Sequence, residues 1–342
     1  WLEIEVCGEE SNLGEKPDSW FFFFFCQRVG GGQRWFLNFC NPDVREYIHS
    51  VIDRLTSMGV GFIKNDYNLC IGNGIDVGDD SPANALMQHN QTFYKFIDEV
   101  REKHPDLILE NCGSGAMRSD YGILSHFHLQ SSSDQEMYYN YPSILSGGLA
   151  AVVPEQLGIW AYPYPLVYDD KDNSEVLDTE KYKKDMEDGE QTIFNMINGM
   201  SGNMYLSGHI EKADQHNTAL ISEAIDLYKK ERKHIHNSYP IWPLGFTKIT
   251  DKNYWVSVGL VNKDNTRILL SVWRLGSGEE YQELHIHEWA GVEAVVEQIY
   301  PSSGYEVNTS YNRKKGSITV NLPETYTARL FKLEVVSGNP YY

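Results

Sequence analysis

Long apolar runs and basic stretches are both missing from this chain of 342 residues. No apolar segment approaches the ~20 residues that a membrane-spanning helix requires, so we expect no helix that crosses a membrane. Lysine and arginine number 29 against 48 aspartate and glutamate residues, which gives a formal net charge of −19. A chain without a basic stripe has nothing to neutralise phosphates, so neither nucleic acid nor an anionic membrane surface is expected as a partner. The charge balance favours a neutral substrate.

Cysteine is scarce and irregularly spaced. The cysteines are Cys7, Cys26, Cys40, Cys70 and Cys112. An odd number without regular spacing predicts neither a disulfide framework nor a zinc site, and no metal or cofactor is expected. Reduced thiols are typical of the cytosol, so we expect a cytoplasmic protein. The chain opens without methionine on the strand pattern Trp1–Glu5, which is expected of a piece of a longer protein and leaves secretion open.

Nucleotide-binding signatures are also missing. No Gly-x-Gly-x-x-Gly fingerprint follows a first strand and no Walker loop is present, which disfavours nucleotide-binding folds. Strands instead alternate with helices. The predicted elements include a strand Trp1–Val6, a helix that starts at Asn41-Pro42-Asp43 and ends near Gly59, the buried strand Val60–Lys64, a second helix from Ala83 to about Lys103 and a strand Ala150–Val153. This alternation predicts βα units and a parallel sheet. The fold class predicted for residues 1–239 is α/β, a (β/α)8 TIM-type barrel lacking its opening unit, and a doubly wound sheet is the alternative.

The pattern changes after Pro240. Short segments from Tyr254 to Val335 alternate apolar and polar residues and are separated by turns such as Gly276-Ser277-Gly278. This pattern predicts an antiparallel β-sandwich over residues 240–342. The segments contain no constellation of charged residues, so a structural role is predicted for the sandwich.

Polar side chains gather where two of the predicted parallel strands end. Lys64 and Asp66 close one strand, and Asp134 follows another strand 68 residues later. Barrel enzymes present their catalytic groups at such carboxyl ends, and a facing pair of carboxylates is what glycoside cleavage requires. Lys64 and Asp66 point to the same side, so the ammonium is expected to lower the pKa of Asp66.

Each of these constellations has a plainer interpretation. Lys64 and Asp66 are alternatively an ordinary ion pair at a barrel rim, and Asp134 is alternatively the N-cap of the next helix. The segment Asn111–Gly115 lets backbone amides approach a ligand, or it makes a tight turn. Cys112 as a nucleophile is disfavoured because no histidine partner is evident.

Taken in chain order, these motifs resemble the α-galactosidase family, glycoside hydrolase family 36. The resembling stretches are Trp1–Glu5, Lys16–Trp20, Asn41–Val44, Lys64–Asn68, Glu110–Gly115 and Ser133-Asp134. The resemblance implies a retaining double-displacement mechanism with Asp66 as nucleophile and Asp134 as acid/base. Departures at Asn38 and Gln135 indicate a divergent branch of the family.

The resemblance also implies a substrate and the side chains that contact it. The implied sugar contacts are Trp1, Arg34, Lys64, Cys112 and Gly115, and the neighbouring Asn68 and Arg118 are further substrate-binding candidates. The expected partner is an oligosaccharide or glycoconjugate with a terminal α-linked galactose-like sugar, acted on without metal or cofactor by a homo-oligomer. An α-N-acetylgalactosaminidase and a non-catalytic carbohydrate-binding relative are the alternatives.

Overall fold

The computed structural model of the protein describes residues 1–69, 71, 74–76, 81–164, 187–338 and 340, so Cys70 lies outside the described residues. The chain divides into two compact units, Trp1–Ser131 and Ser132–Tyr342. The domain boundary predicted after residue 239 falls within the strand Ser238–Ile241 of the second unit and stays a prediction.

The first unit contains three parallel strands that alternate with helices. Its strands are β1 (Val6–Gly8), β2 (Phe23–Phe24), β3 (Gln27–Arg28), β4 (Gly30–Gly31), β5 (Arg34–Phe36), β6 (Phe62–Asn65), β7 (Ile108–Asn111) and β8 (Leu129–Ser131). β7 pairs in parallel with β6 on one side and with β8 on the other. The carboxyl ends of these strands therefore meet at one edge, as the sequence predicts.

The segment Trp1–Glu5 lies beside β6, although it is less regular than predicted. The Leu2 amide donates to the Lys64 carbonyl oxygen at 2.9 Å, and the Asp66 amide donates to the Leu2 carbonyl oxygen at 2.8 Å. This bridge is parallel. The predicted strand from Trp1 to Val6 is wrong in extent, because the chain turns at Glu3 and continues as β1, which pairs with β5 instead.

The helices of the first unit are α1 (Pro42–Ser57), α2 (Pro82–Lys103) and α3 (Tyr121–Leu124). The Asn41 side chain caps α1 by accepting from the Asp43 amide, with proline in the first turn. This is the predicted start signal. Apolar residues at helical spacing, among them Val44, Ile48 and Ile52, are buried. The predictions of α1 and α2 are confirmed.

The second unit begins with helices and two parallel strands. Its first elements are α4 (Tyr141–Gly148), β9 (Leu157–Tyr164), α5 (Glu190–Asn198), β10 (Asn203–Gly208) and α6 (Gln215–His236). β10 pairs in parallel with β9. The strand predicted at Ala150–Val153 is wrong, because Ala150 and Ala151 donate their amides to Gly147 and Gly148 and form a turn at the end of α4.

Antiparallel sheets fill the rest of the second unit. The strands are β11 (Ser238–Ile241), β12 (Trp255–Asn262), β13 (Arg267–Arg274), β14 (Tyr281–His285), β15 (Glu293–Tyr300), β16 (Thr309–Asn312), β17 (Ser317–Asn321) and β18 (Thr327–Ser337). They form a five-stranded sheet, β11-β12-β13-β18-β15, and a three-stranded sheet, β14-β17-β16. Buried Trp255, Leu270, Trp289, Ile318 and Phe331 belong to one apolar core. The prediction of antiparallel strands here is confirmed.

In the described part of the chain, every helix is too short or too polar to cross a membrane.

Candidate active site

Asp66 stands at the carboxyl end of β6 and is almost fully buried. Its Oδ2 accepts a hydrogen bond from Trp1 Nε1 at 2.9 Å, and its Oδ1 accepts one from the Tyr67 amide at 2.9 Å. The side chains of Asn68 and Cys112 also hydrogen-bond to it. Four donors from three segments of the first unit therefore converge on one carboxylate.

The net effect of this environment is to keep Asp66 ionised. Burial alone raises the pKa of Asp66, but the hydrogen bonds from Asn68, Cys112, Trp1 and the Tyr67 amide outweigh burial and lower the pKa below its ordinary value. A carboxylate with a lowered pKa is negatively charged at neutral pH. The predicted direction of the pKa shift is confirmed, and hydrogen-bond donors cause it. The predicted contribution of the Lys64 ammonium stays a prediction.

Cys112 holds its proton. Burial is the largest influence on the thiol and raises its pKa to about 11. A protonated thiol donates to Asp66 and is a weak nucleophile, because the thiolate is the reactive form. This environment supports the sequence-based judgement against a cysteine nucleophile.

Lys64 is buried beside a second carboxylate. Its Nζ lies 3.4 Å from Glu110 Oε1 and 3.4 Å from Ser131 Oγ, and it stands 4.2 Å from the centre of the Trp1 ring. Glu110, a residue that sequence reasoning did not select, is itself fully buried. The lysine ammonium is thus fixed among the carboxyl ends of β6, β7 and β8.

A second network joins Arg34, Glu3, Asn68 and Ser114. Arg34 forms an ion pair with Glu3, and Asn68 Nδ2 donates to Glu3 Oε1 at 3.1 Å. Asn68 Oδ1 accepts from the Ser114 amide at 2.7 Å and from its hydroxyl at 2.9 Å. Gly115 follows with φ 86°, in the left-handed region that favours glycine. Asn68 therefore fixes the turn after β7 against the residues around Asp66.

Arg118 is used differently from the other predicted residues. Its Nη1 and Nη2 donate to the two carboxylate oxygens of Glu5, at 2.9 Å and 2.7 Å. Nη2 also donates to Asn111 Oδ1 at 3.2 Å, and the guanidinium lies 4.1 Å from the Tyr67 ring centre. Both terminal nitrogens have protein partners, and Glu5 is 3% exposed. These contacts favour a positioning role over direct contact with a sugar.

Asp134 lies in the second unit, three residues after β8 ends, and is exposed. Burial is the largest cause that raises the pKa of Tyr141 and of Tyr162, and the charge of Asp134 raises both pKa values further. The structure records Asn140 as the N-cap of α4. The alternative interpretation of Asp134 as the cap of the next helix is therefore wrong.

Within the described residues, no group of three or more histidine, cysteine, aspartate or glutamate side chains could hold a metal ion.

Seven of the nine predicted site residues belong to the interlinked contacts around Asp66 and Asn68 in the first unit, namely Trp1, Arg34, Lys64, Asp66, Asn68, Cys112 and Gly115. Sequence reasoning placed Glu3, Glu110 and Ser114 inside the motifs Trp1–Glu5 and Glu110–Gly115 but assigned none of the three to the site. Membership of these motifs was the only local signal for them.

Comparison with known proteins identifies similar sequences. The family model described as Melibiase matches residues 1–148. A probable alpha-galactosidase C of Aspergillus terreus is 28% identical over 161 residues, which are 46% of this chain and 21% of that protein. An alpha-galactosidase of Escherichia coli is also 28% identical over 161 residues, covering 46% of this chain and 22% of that protein. The chain thus spans about a fifth of these relatives.

Solved structures share the fold. A variant of the GH36 alpha-galactosidase AgaA from Geobacillus stearothermophilus, in complex with raffinose, has a TM-score of 0.76 and 16% identity, covering 98% of this chain and 44% of that chain. The alpha-galactosidase from Lactobacillus brevis has a TM-score of 0.76 and 13% identity, covering 100% and 45%. The fold is TIM-barrel-like and is followed by antiparallel sheets, as predicted. The extent of the barrel that the sequence indicates stays a prediction.

Proposed function

Because the chain belongs to glycoside hydrolase family 36, the α-galactosidase family, we propose that the protein hydrolyses terminal α-linked galactosides. The observation that carries the proposal is the environment of Asp66, a buried carboxylate held ionised by four hydrogen-bond donors at the carboxyl end of a parallel strand. An ionised carboxylate at this position suits nucleophilic attack on a sugar.

The proposed reaction is a double displacement with retention of configuration. The Asp66 carboxylate attacks the anomeric carbon and forms a covalent glycosyl ester, while the Asp134 carboxylic acid gives its proton to the departing glycosidic oxygen. Asp134, now a carboxylate, then takes a proton from water. The water oxygen attacks the anomeric carbon, which frees Asp66 and regenerates the acid.

The other side chains of the first unit support this chemistry in the proposal. Lys64 and Arg34 supply donors for sugar hydroxyl groups, and both are fixed by carboxylates, Glu110 and Glu3. Trp1 and Cys112 donate to Asp66, which disfavours its protonation. Fixing these side chains before substrate arrives reduces the entropy cost of reaching the transition state.

The proposed substrates are neutral oligosaccharides or glycoconjugates with a terminal α-linked galactose. Complexes of AgaA variants with raffinose and with stachyose support this substrate class by analogy. The net charge of −19 also suits a neutral substrate. A cytoplasmic location and a homo-oligomeric state stay predictions.

The choice between two sugars gives the first test. We expect the intact protein to hydrolyse p-nitrophenyl α-galactoside faster than p-nitrophenyl α-N-acetylgalactosaminide. An acetamido group would need room and a hydrogen-bond partner beside Cys112–Ala116, but Cys112 is fully buried and the Ser114 hydroxyl already donates to Asn68. The measurement is kcat/KM for both substrates under one condition. A preference for the acetamido sugar would replace the galactosidase proposal with its close rival. Binding without turnover of either substrate would favour a non-catalytic carbohydrate-binding protein.

A pH profile tests the role of Cys112. The thiol hydrogen bond lowers the pKa of Asp66, so Cys112→Ala should raise that pKa and move the acid limb of the kcat/KM profile to higher pH. Cys112→Ser keeps a donor and should shift the limb less. Cys7→Ala is the matched control, because Cys7 is also buried but its thiol forms a hydrogen bond with Ser11. An acid limb at the same pH in all three variants would contradict this role.

A further inference from the structure

A cavity of about 340 Å³ opens in the antiparallel region of the second unit. It lies between the segment that follows β11 and the strand β14, and Phe246, Tyr254 and Trp255 are among its lining residues. Its volume falls within the ~300–1,000 Å³ range of small-molecule sites. None of the residues to which the proposed mechanism assigns a role lines this cavity.

Two of the aromatic residues that line the cavity are exposed and the third is buried. Phe246 is 62% exposed and Tyr254 is 51% exposed, whereas Trp255 is 4% exposed. The Phe246 ring packs 4.8 Å from the ring of Trp242, which is held by a hydrogen bond from its Nε1 to the Ser146 carbonyl oxygen at 3.1 Å. The Phe246 ring is therefore packed against a fixed neighbour while much of the residue stays in contact with water.

The polar groups of the cavity are mixed in sign. Lys248 supplies a cation, Asp251 an anion and Gln282 an uncharged amide. The Asp251 amide donates to the Lys248 carbonyl oxygen at 2.9 Å, and the Leu275 amide donates to the Tyr254 carbonyl oxygen at 2.9 Å. These backbone bonds fix the chain that carries the rim. Opposite charges on one rim disfavour a strongly charged ligand and offer both donors and acceptors to hydroxyl groups.

We propose that this cavity is a second, non-catalytic site that binds neutral oligosaccharides. The negative face of an aromatic ring attracts the polarised C–H groups of a pyranose, which fits the exposed faces of Phe246 and Tyr254. Lys248, Asp251 and Gln282 bind the hydroxyl groups at the edge of the sugar. The choice of galactose-containing sugars as ligands rests on the proposed function, but binding at this cavity does not require Asp66.

The test is a calorimetric titration of the intact protein with stachyose while the catalytic pocket is saturated with 1-deoxygalactonojirimycin. The parent should still bind stachyose, and Phe246→Ala combined with Tyr254→Ala should weaken that binding by roughly tenfold or more. Tyr121→Ala is the matched control, because Tyr121 is 78% exposed in the first unit and does not line the cavity. Lys248→Met, which leaves both rings in place, should also weaken binding.

Several outcomes would overturn the proposal. The first is the absence of stachyose binding once the catalytic pocket is blocked, and the second is equal binding by the parent and all cavity variants. The third is a smaller oligomeric mass for the double variant, because it would mean that a second copy of the chain covers the cavity. Turnover of p-nitrophenyl α-galactoside should be the same in the parent and the double variant. If the parent itself shows no turnover, the proposed function fails, while the titration still decides the fate of the cavity proposal.

Discussion

Asp66→Asn is expected to lower turnover of α-galactosides by roughly 10⁴-fold or more while substrate still binds. The amide has nearly the shape of the carboxylate but cannot form the glycosyl ester. It retains one oxygen that can accept from Trp1 or from the Tyr67 amide, so the pocket should keep its arrangement. The measurements are kcat on p-nitrophenyl α-galactoside and the dissociation constant of stachyose.

Asp106→Asn is the matched control for that substitution. Asp106 is an exposed carboxylate two residues before β7, at the amino end of the parallel strands. Barrel enzymes carry their catalytic groups at the carboxyl ends of the strands, so this variant should retain the parent's turnover. Parent-like turnover by Asp66→Asn would identify Asp66 as an ordinary rim carboxylate and remove the basis of the enzymatic proposal.

Arg118→Met is expected to lower the free energy of unfolding by about 3–5 kcal/mol, because it leaves Glu5 buried without its charge partner. Glu5 is 3% exposed and receives two hydrogen bonds from Arg118. The additional change Glu5→Gln should recover part of the loss, since it removes the uncompensated charge. The measurement is chemical denaturation of the single variants and the double variant.

Arg313→Met provides the control for Arg118. The side chains of Arg313 and Glu293 are 59% and 53% exposed in their ion pair, which should contribute about 0–1 kcal/mol. Unchanged stability of Arg118→Met together with a large increase in KM would indicate that Arg118 contacts the substrate. That outcome would restore the sugar contact predicted from sequence and contradict the positioning role that the structure favours.

Local patterns were enough to predict the elements that carry Asp66. The cap at Asn41, the apolar spacing of α1 and the apolar strand β6 each depend on neighbouring residues, and each is observed. The parallel pairing of β6 with β7 then places their polar ends together. Such features follow from chain geometry over a few residues, which a sequence displays directly.

The contacts that sequence reasoning assigned differently or missed depend on distant partners. Arg118 meets Glu5 across 113 positions, and Asn68 meets Glu3 across 65. Nothing is predicted from the run of five phenylalanines Phe21–Phe25, yet Phe21 and Phe22 are fully buried in the first unit. A local pattern gives the chemistry of a side chain but not which distant partner folding brings to it.

The most direct measurement of the central claim is to trap the covalent intermediate and locate it. A 5-fluoro-α-galactosyl fluoride should react with the intact protein, because fluorine slows hydrolysis of the glycosyl ester by destabilising an oxocarbenium-like transition state. Peptide mass spectrometry should then find one fluorogalactosyl group, attached to Asp66. A fluorogalactosyl group on a different residue, or rapid turnover of the reagent with inversion at the anomeric carbon, would contradict the assignment of Asp66 as the nucleophile of a retaining hydrolase.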